Sequence, residues 1–269
     1  MRSPGPLDAL RVPDLDGVAT LDLSGITWVT PALIAGAAAL AARTRSQGQP
    51  FTLLRPHHPD AAGYLARMRL GKTLTGLGVQ HDLPHVYERD RRGHLLELTP
   101  IHSETDVNEL ATLVHDKVDA DDPGLADALY RSLCEVGDNV ADHASGVGYL
   151  VAQTMPTRNE LRISVADGGV GLLHWLGPAR GARDHSEALD IALSGVSRHD
   201  EPERGNGIIR TLNLVQQMSG SAMFASGDAW SRDRGTRRDT GRCPHSYAGT
   251  LFEATIPLGT GKHAARTLD

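Results

Sequence analysis

The sequence predicts an α/β fold in two parts, and three observations support this interpretation. Strand and helix patterns alternate in the order β-α-β-α between residues 17 and 74, which is typical of a small α/β unit. A second periodic region, residues 104–257, begins with two helix patterns and continues with strand patterns and a further helix. The chain has 269 residues and a hydrophobic content of 40%, enough to form one large core or two modest ones.

The elements of the N-terminal part follow from local patterns. The stretches GVATLDL (17–23) and PFTLLRP (50–56) are short apolar runs of the kind that form strands. The stretches PALIAGAAALAARTR (31–45) and DAAGYLARMRLGKTL (60–74) predict helices, the second with Pro59 near its start. The connections between these elements are short, as expected within one α/β unit.

The elements of the C-terminal part are longer and more varied. The predicted helices lie at about 104–118, 123–145 and 207–218, and the predicted strands at 149–155, 160–167, 221–230 and 249–257. A long irregular stretch is expected after residue 167, and SRDRGTRRDTGR (231–242) is a compositionally biased segment. Residues 82–102 mix Pro, Gly and charge, so we expect the boundary there, with domains at 1–95 and 96–269.

Composition narrows the class of protein. The net charge of -6 gives neither part the basic character expected of a nucleic-acid-binding protein. The longest apolar run, PALIAGAAALAA, is too short to span a bilayer, and the N-terminus lacks the apolar stretch of a signal peptide. We therefore expect a soluble cytoplasmic protein without a membrane partner, in which Cys134 and Cys243 are reduced thiols.

A row of polar residues lies on the predicted helix 123–145. Leu125, Leu129, Leu133, Val136 and Val140 recur every three or four residues and define its core face. Glu135, Asn139 and His143 follow at spacings of four and form a separate stripe. An acid, an amide oxygen and a third polar group on one rigid element suit a metal-nucleotide site, but a solvated polar face would show the same pattern.

A second group of candidate residues follows the strand ELRISVAD. Asp167 ends this strand, and Gly168, Gly169 and Gly171 permit a tight turn and the close approach of a ligand to the backbone. A carboxylate at this position can accept a hydrogen bond from an exocyclic amine such as that of adenine. The same D-G-G-V-G sequence would also suit an ordinary turn.

A third candidate element is the start of the helix in RGNGIIRTLNLV. Gly205 and Gly207 open this helix, and the backbone N–H groups at a helix start attract phosphate. The chain contains no G-x-x-x-x-G-K-[ST] sequence, so a P-loop is not predicted.

Together these motifs resemble the GHKL superfamily of ATP-binding proteins, which includes DNA gyrase, MutL, histidine kinases and anti-sigma-factor serine kinases. The resemblance covers about residues 104–258 and includes E-x-x-x-N-x-x-x-H, D-x-G-x-G, a short G-x-G and GTLFEATIPL, in the family's order. It implies the Bergerat fold, an α/β sandwich in which ATP lies between helices and a mixed sheet. It also implies ATP and Mg²⁺ as ligands.

The resemblance assigns roles to individual residues. Glu135 matches the family's general base, which histidine kinases usually lack. Residues 172–204 match a lid over the phosphates, within which Arg198, His199 and Arg204 are candidate phosphate partners. The nucleotide ligands it implies are Asn139 for Mg²⁺; Asp167 for the adenine amine; Gly169 and Gly171 for the turn against the nucleotide; Gly205, Asn206 and Gly207 for the phosphates; and Thr250 for the adenine side.

The N-terminal part has a weaker resemblance, to the STAS domain of anti-sigma-factor antagonists. It rests on GVATLDLSGITWVTPALIAGAAALAARTRSQGQPFTLL and LARMRLGKTLTGLGV. The family's phosphorylated Ser is absent, because the matching stretch reads Thr30, Pro31, Ala32, Leu33. We therefore expect this part to act as a docking surface, in contact with the lid, and not as a substrate.

The motifs leave two functional classes open. One is an ATP-driven switch, an ATPase or a serine/threonine protein kinase in bacterial regulation, with a regulatory protein as partner. The other is a non-catalytic anti-sigma-type adaptor in which ATP only orders the lid for partner binding. Binding motifs do not determine the fate of the γ-phosphate, and they leave the oligomeric state open.

Overall fold

The computed structural model describes residues 7–86, 95–118, 123–143, 147–155, 157–195 and 207–258, and it shows a mixed α/β protein with two sheets. The strands are β1 (Asp14–Leu15), β2 (Val18–Asp22), β3 (Phe51–Leu54), β4 (Gln80–His81), β5 (Leu95–Ile101), β6 (Gly148–Met155), β7 (Glu160–Asp167), β8 (Ser221–Arg234) and β9 (Arg237–Pro257). The helices are α1 (Pro31–Ser46), α2 (Pro59–Arg67), α3 (Leu70–Gly76), α4 (Glu104–Val118), α5 (Pro123–His143), α6 (Leu172–Arg180), α7 (His185–Leu193) and α8 (Gly207–Gln217).

The N-terminal sheet has the order β1-β2-β3-β4, in which β2, β3 and β4 are parallel and β1 pairs antiparallel with β2. The predicted strands and the first predicted helix are confirmed within a few residues. The single helix predicted over 60–74 is wrong, because the chain breaks into α2 and α3. Arg69 takes a left-handed conformation between them, with φ of 66°. Helical periodicity alone does not reveal such a one-residue break.

The C-terminal sheet is antiparallel, with the order β5-β6-β7-β9-β8. One face of it is covered by α4, α5, α7 and α8, and the apolar side chains between these layers form a continuous core. The five apolar residues predicted for the core face of α5 are all buried there. This arrangement places β7, the strand that ends in Asp167, in the middle of the sheet.

Helix α1 covers the opposite face of the C-terminal sheet. Its residues from Pro31 to Ala41 are all buried, and it packs against β6, β7 and β9 as well as against its own sheet. A helix that is apolar on every side is expected to be buried on every side, which explains the run PALIAGAAALAA. The core cluster around α1 therefore includes residues of both sheets, among them Leu21 and Leu53 from one and Val151 and Leu251 from the other.

Strands β8 and β9 form one long hairpin, and this corrects the description of residues 231–242 as only a biased segment. The turn lies at Gly235 and Thr236, and ion pairs such as Arg238 with Asp233 connect the two strands. Charges of opposite sign across a strand pair stabilise the pairing, so the Arg- and Asp-rich composition suits a solvated hairpin end.

Three further sequence expectations concern the whole chain. Strand β5 belongs to the C-terminal sheet although it lies in the segment expected to contain the boundary. Cys134 and Cys243 are both free thiols. Among the described residues, no helix combines the length and the hydropathy that crossing a bilayer requires.

Candidate functional site

A largely apolar pocket lies between the helical layer and the C-terminal sheet. It opens to solvent, and the space within it is about 560 Å³ when the open solvent at its mouth is included. Asp167 is the only ionisable side chain among the described residues that line it. The lining residues are Val136, Val140, Val165, Asp167, Gly171, Leu172, Trp175, Ile208, Phe224, Thr250 and Phe252.

The carboxylate of Asp167 is buried at the end of β7, with 4% of the residue exposed. Its Oδ1 accepts a hydrogen bond of 2.7 Å from the Gly169 N–H. Its Oδ2 accepts one of 3.1 Å from the Thr250 N–H and another from the Thr250 hydroxyl. A carboxylate offers about four acceptor positions, so, counting the described residues, these three hydrogen bonds leave one position on Oδ1 for a further donor.

The electrostatic state of Asp167 reflects opposing effects. Burial raises the pKa of the Asp167 carboxyl above its ordinary value, because the charged form loses its hydration. Hydrogen bonds from Thr250 and Gly169 and the positive charge of Arg43 act in the opposite direction. The hydrogen-bond donors around this buried carboxylate are therefore in place before any ligand binds.

Two glycines allow the backbone to close around Asp167. A Cβ atom on Gly249, which has φ of 95°, would lie 2.2 Å from the Asp167 carbonyl oxygen and 2.6 Å from its Oδ1. A Cβ atom on Gly171, with φ of 75°, would lie 2.9 Å from the Ser226 hydroxyl. That hydroxyl donates to the Gly249 carbonyl at 2.9 Å and accepts from the Leu172 N–H at 3.0 Å. Ser226 thus connects three segments of the site, a role that its place within a strand pattern did not predict.

Glu135 lies on α5 beside Val136, and its carboxylate is paired with Arg210 of α8. The Arg210 Nη1 lies 2.6 Å from the Glu135 Oε1, and the two side chains are 59% and 28% exposed respectively. The pair joins two helices that border the pocket. Sequence reasoning did not predict this partner, because the two residues are 75 positions apart.

The remaining predicted residues are placed only in part. The backbone of Asn139 lies on α5, one turn after Glu135, but its side chain is outside the described part of the chain. Gly205 and Asn206 also lie outside it. Helix α8 begins at Gly207, and the adjacent Ile208 lines the pocket, so the start of α8 lies at the pocket's edge. Within the described ranges, no three His, Cys, Asp or Glu side chains are grouped as a metal site.

The sequence predicted a long irregular stretch after residue 167, and this prediction is wrong for the first half of the stretch. Residues 172–193 contain α6 and α7, which pack on each other around Leu176, Ala182, Ala188 and Ala192. Residues 196–206, which include Arg198, His199 and Arg204, lie outside the described ranges. The lid assignment for 172–204 therefore stays a prediction, now with two helices in its first half.

Several lining residues carried no functional signal in the sequence. Trp175 of α6 and Phe224 of β8 were not singled out, and Val136 and Val140 were predicted only as core residues. Hydrophobic periodicity indicates burial, but it does not distinguish a packed core from the wall of a cleft. The polar residue Asp167 stood out because it follows a buried strand and precedes a glycine-rich turn.

Comparison with protein-family models and with curated proteins finds no match for this chain.

Proposed function

We propose that the chain is a Mg-ATP-binding protein of the GHKL type, with the nucleotide bound between the helical layer and the C-terminal sheet. The observation that carries the proposal is Asp167, a buried carboxylate at an apolar pocket with three acceptor positions filled and one left. An apolar pocket with a few fixed polar groups is typical of small-molecule sites. A planar base that presents one amine would satisfy the remaining acceptor and fill the apolar space.

The walls of the pocket suit the parts of a nucleotide. Val136, Val165 and Phe252 offer apolar surface for a base, and Trp175 adds an aromatic ring. The start of α8 at the pocket's edge offers the backbone N–H groups and the positive end of a helix dipole, which favour phosphate. Of the proposed phosphate residues, Gly207 is the first residue of α8, and Gly205 and Asn206 directly precede it in the sequence.

The proposed Mg²⁺ ligand is Asn139, which follows Glu135 by one turn of α5. An amide oxygen suits a hard cation that also takes phosphate oxygens and water as ligands. A bound Mg²⁺ would neutralise part of the charge on the phosphates. Glu135 is the proposed general base, which would hold a proton taken from the attacking group.

The fold itself supports a finer proposal for both parts of the chain. The resemblance implied a mixed sheet, whereas the C-terminal sheet is antiparallel; five strands with α4, α5, α7 and α8 on one face still support a Bergerat-type sandwich, and the parallel strands of the N-terminal unit support a STAS-like unit. The Thr30 hydroxyl accepts the Leu33 N–H at 3.2 Å as the cap of α1, so it already has a structural role. This supports a unit that docks and is not phosphorylated. The N-terminal unit contacts the C-terminal sheet through α1, on the face opposite to α6 and α7, so the expected contact with the lid is wrong for these two helices.

A second candidate function is a nucleotide-dependent adaptor without catalysis, acting on a regulatory protein partner. The observation that favours it is the ion pair between Glu135 and Arg210, in which one carboxylate oxygen is already engaged. In such an adaptor, ATP would only shift the lid segment towards a binding-competent arrangement.

Calorimetric titration with Mg-ATP tests the proposed function. The wild-type chain should bind, and Asp167→Asn should weaken binding by about 1 to 3 kcal/mol because an amide nitrogen replaces one acceptor oxygen. Asp228→Asn is the matched control, since Asp228 lies on the same sheet but pairs with Arg242 outside the pocket. A wild-type chain with no affinity for adenine nucleotides, or equal affinity in Asp167→Asn, would reject the site.

A further inference from the structure

An arginine of the N-terminal unit contacts the turn that follows Asp167. Arg43 lies in the last turn of α1, and its Nη1 is 2.7 Å from the Gly168 carbonyl oxygen and 2.5 Å from the Gly169 carbonyl oxygen. These two carbonyls are 125 and 126 positions away from Arg43 in the sequence. Hydrogen bonds with a charged donor are stronger than those between neutral groups, so Arg43 is a substantial restraint on this turn.

The turn also packs tightly against α1. A Cβ atom on Gly168 would lie 2.6 Å from the Ala39 carbonyl oxygen and 2.8 Å from the Arg43 Cβ. The φ of Gly168 is not in the left-handed region, so glycine is required here for close packing and not for backbone freedom. Helix α1 and the turn therefore fit together by shape as well as by hydrogen bonds.

We propose that Arg43 is a positioning residue through which the N-terminal unit sets the geometry of the Asp167 site and so controls its affinity for nucleotide. This inference rests on the proposed function of that site. It adds a regulatory contact that lies on the sheet face opposite to the pocket.

The connection between Arg43 and Asp167 runs through one peptide group. The Gly168 carbonyl and the Gly169 N–H belong to the same planar peptide, with the C=O and N–H pointing in opposite directions. The carbonyl accepts from Arg43, and the N–H donates to the Asp167 Oδ1 at 2.7 Å. Fixing the carbonyl therefore fixes the donor that orients the carboxylate, and the two hydrogen bonds polarise one another.

The charge of Arg43 acts on the same carboxylate. It lowers the pKa of Asp167, against the rise caused by burial. The other groups that face Asp167 are the Thr250 hydroxyl and N–H, the Gly169 N–H and the buried Tyr247 hydroxyl, which donates to the Asp167 carbonyl at 3.1 Å. Burial raises the pKa of Tyr247 well above its ordinary value, so this hydroxyl stays neutral. Arg43 is thus the cation among the described groups whose charge opposes the protonation of Asp167.

A coupling of this kind is reciprocal. If the position of α1 changes the affinity for nucleotide, bound nucleotide must change the stability of the α1 contact by the same factor. A protein that displaces α1 would then weaken nucleotide binding without touching the pocket.

The test compares the wild-type chain with Arg43→Ala, Arg43→Lys and the control Arg45→Ala. Arg45 lies on the same helix, but its Nε donates to the Leu77 carbonyl at 3.2 Å within the N-terminal unit. Calorimetric titration with Mg-ATP should give about tenfold weaker affinity for Arg43→Ala, which is roughly 1.4 kcal/mol. Arg43→Lys should recover part of this loss, since charge and donors remain, and Arg45→Ala should bind as the wild type does.

Two further measurements distinguish a specific effect of Arg43 on the position of Asp167 from a general loosening of the fold. In Arg43→Ala the loss of affinity at low pH should begin at a higher pH than in the wild type, because Asp167 loses its cation and protonates more readily. Hydrogen exchange at the Gly169 amide, measured without nucleotide, should be faster in Arg43→Ala and unchanged in Arg45→Ala.

Two outcomes would overturn the inference while leaving the proposed function intact. One is wild-type affinity and wild-type Gly169 exchange in Arg43→Ala. The other is an equal loss of affinity in Arg45→Ala, since that would indicate a general effect of disturbing α1. A wild-type chain that does not bind Mg-ATP would overturn the proposed function and the inference together, and the wild-type titration alone identifies that case.

Discussion

At the scale of single residues, the close approach of the backbone at Gly249 fixes the position of Asp167. The Asp167 carbonyl oxygen and Oδ1 both lie where a side chain at position 249 would begin. The next residue, Thr250, uses its N–H and its hydroxyl to hold the Asp167 Oδ2. The hydrogen bonds from Thr250 to the Asp167 carboxylate therefore require a residue without a side chain at position 249.

We predict that Gly249→Ala destabilises the fold by about 3 kcal/mol or more, because backbone atoms must move and a left-handed φ is also required. Gly235→Ala is the matched control: Gly235 also has a positive φ, of 56°, but a Cβ there would meet nothing within 4 Å. Only the backbone strain remains in that case, at a cost of about 1 kcal/mol. Urea denaturation of both variants measures the difference, and equal losses would contradict the steric argument.

The same residues show what sequence can reveal about a site. Asp167 was found because its position, after a buried strand and before glycines, depends only on local sequence. The two cations were not found, since Arg43 reaches the turn after Asp167, and Arg210 reaches Glu135, only through the packing of distant elements. Local patterns contain no information about which faces of two helices meet.

At the scale of elements, α5 and α8 border the pocket and are joined by the ion pair of Glu135 and Arg210. Both helices were predicted from their apolar periodicity, and their bounds agree within about two residues. Helices α6 and α7 were missed because each is only nine residues long, and Gly177 and Pro178 interrupt the helical pattern of α6. The N-cap Asp184, which accepts the Glu187 N–H at 2.9 Å, was the local signal available for α7.

The ion pair gives a prediction that separates binding from chemistry. Glu135→Gln keeps an acceptor for Arg210 and leaves the lining of the pocket unchanged, so nucleotide affinity should stay within about twofold. If Glu135 is the general base, the rate of ATP turnover should fall by about a hundredfold or more. Calorimetry and a phosphate-release assay on the same preparations measure the two quantities.

The solvent exposure of the Glu135–Arg210 ion pair determines how a fall in the turnover of Glu135→Gln is interpreted. Because both side chains are partly exposed, losing the pair should cost less than about 1 kcal/mol of stability. A hundredfold fall in turnover therefore could not be attributed to unfolding. An unaltered turnover rate in Glu135→Gln would reject the catalytic role and favour the adaptor.

At the scale of the whole molecule, α1 is the element that joins the two sheets. The sequence predicted a helix here whose run 31–42 has no polar side, but it could not indicate that two different sheets cover this helix. Near the start of α1, a largely buried acid makes a polar contact across this junction. Glu253 of β9 accepts the Ala32 N–H at 3.2 Å through its Oε1.

The carboxyl of Glu253 makes the stability of this junction depend on pH. Burial raises the pKa of Glu253 above its ordinary value, although the Ala32 N–H, the charges of Arg162 and Arg232 and the Thr30 hydroxyl oppose the rise. An acid whose pKa is higher in the folded state stabilises the fold fully below its unfolded pKa. That contribution is lost as the pH rises through the folded value.

We therefore predict that Glu253→Gln increases the free energy of unfolding at pH 8 and changes it little near pH 4. The amide has almost the shape of the protonated carboxyl and can still accept the Ala32 N–H, but it carries no charge that burial would penalise. Urea denaturation of the wild type and Glu253→Gln across this pH range measures the difference. Glu160→Gln is the control, because Glu160 is an acid of the neighbouring strand β7 whose carboxylate forms an ion pair with Arg162. If the stability difference between Glu253→Gln and the wild type does not grow with pH, the charge of Glu253 does not destabilise the junction between α1 and the sheet.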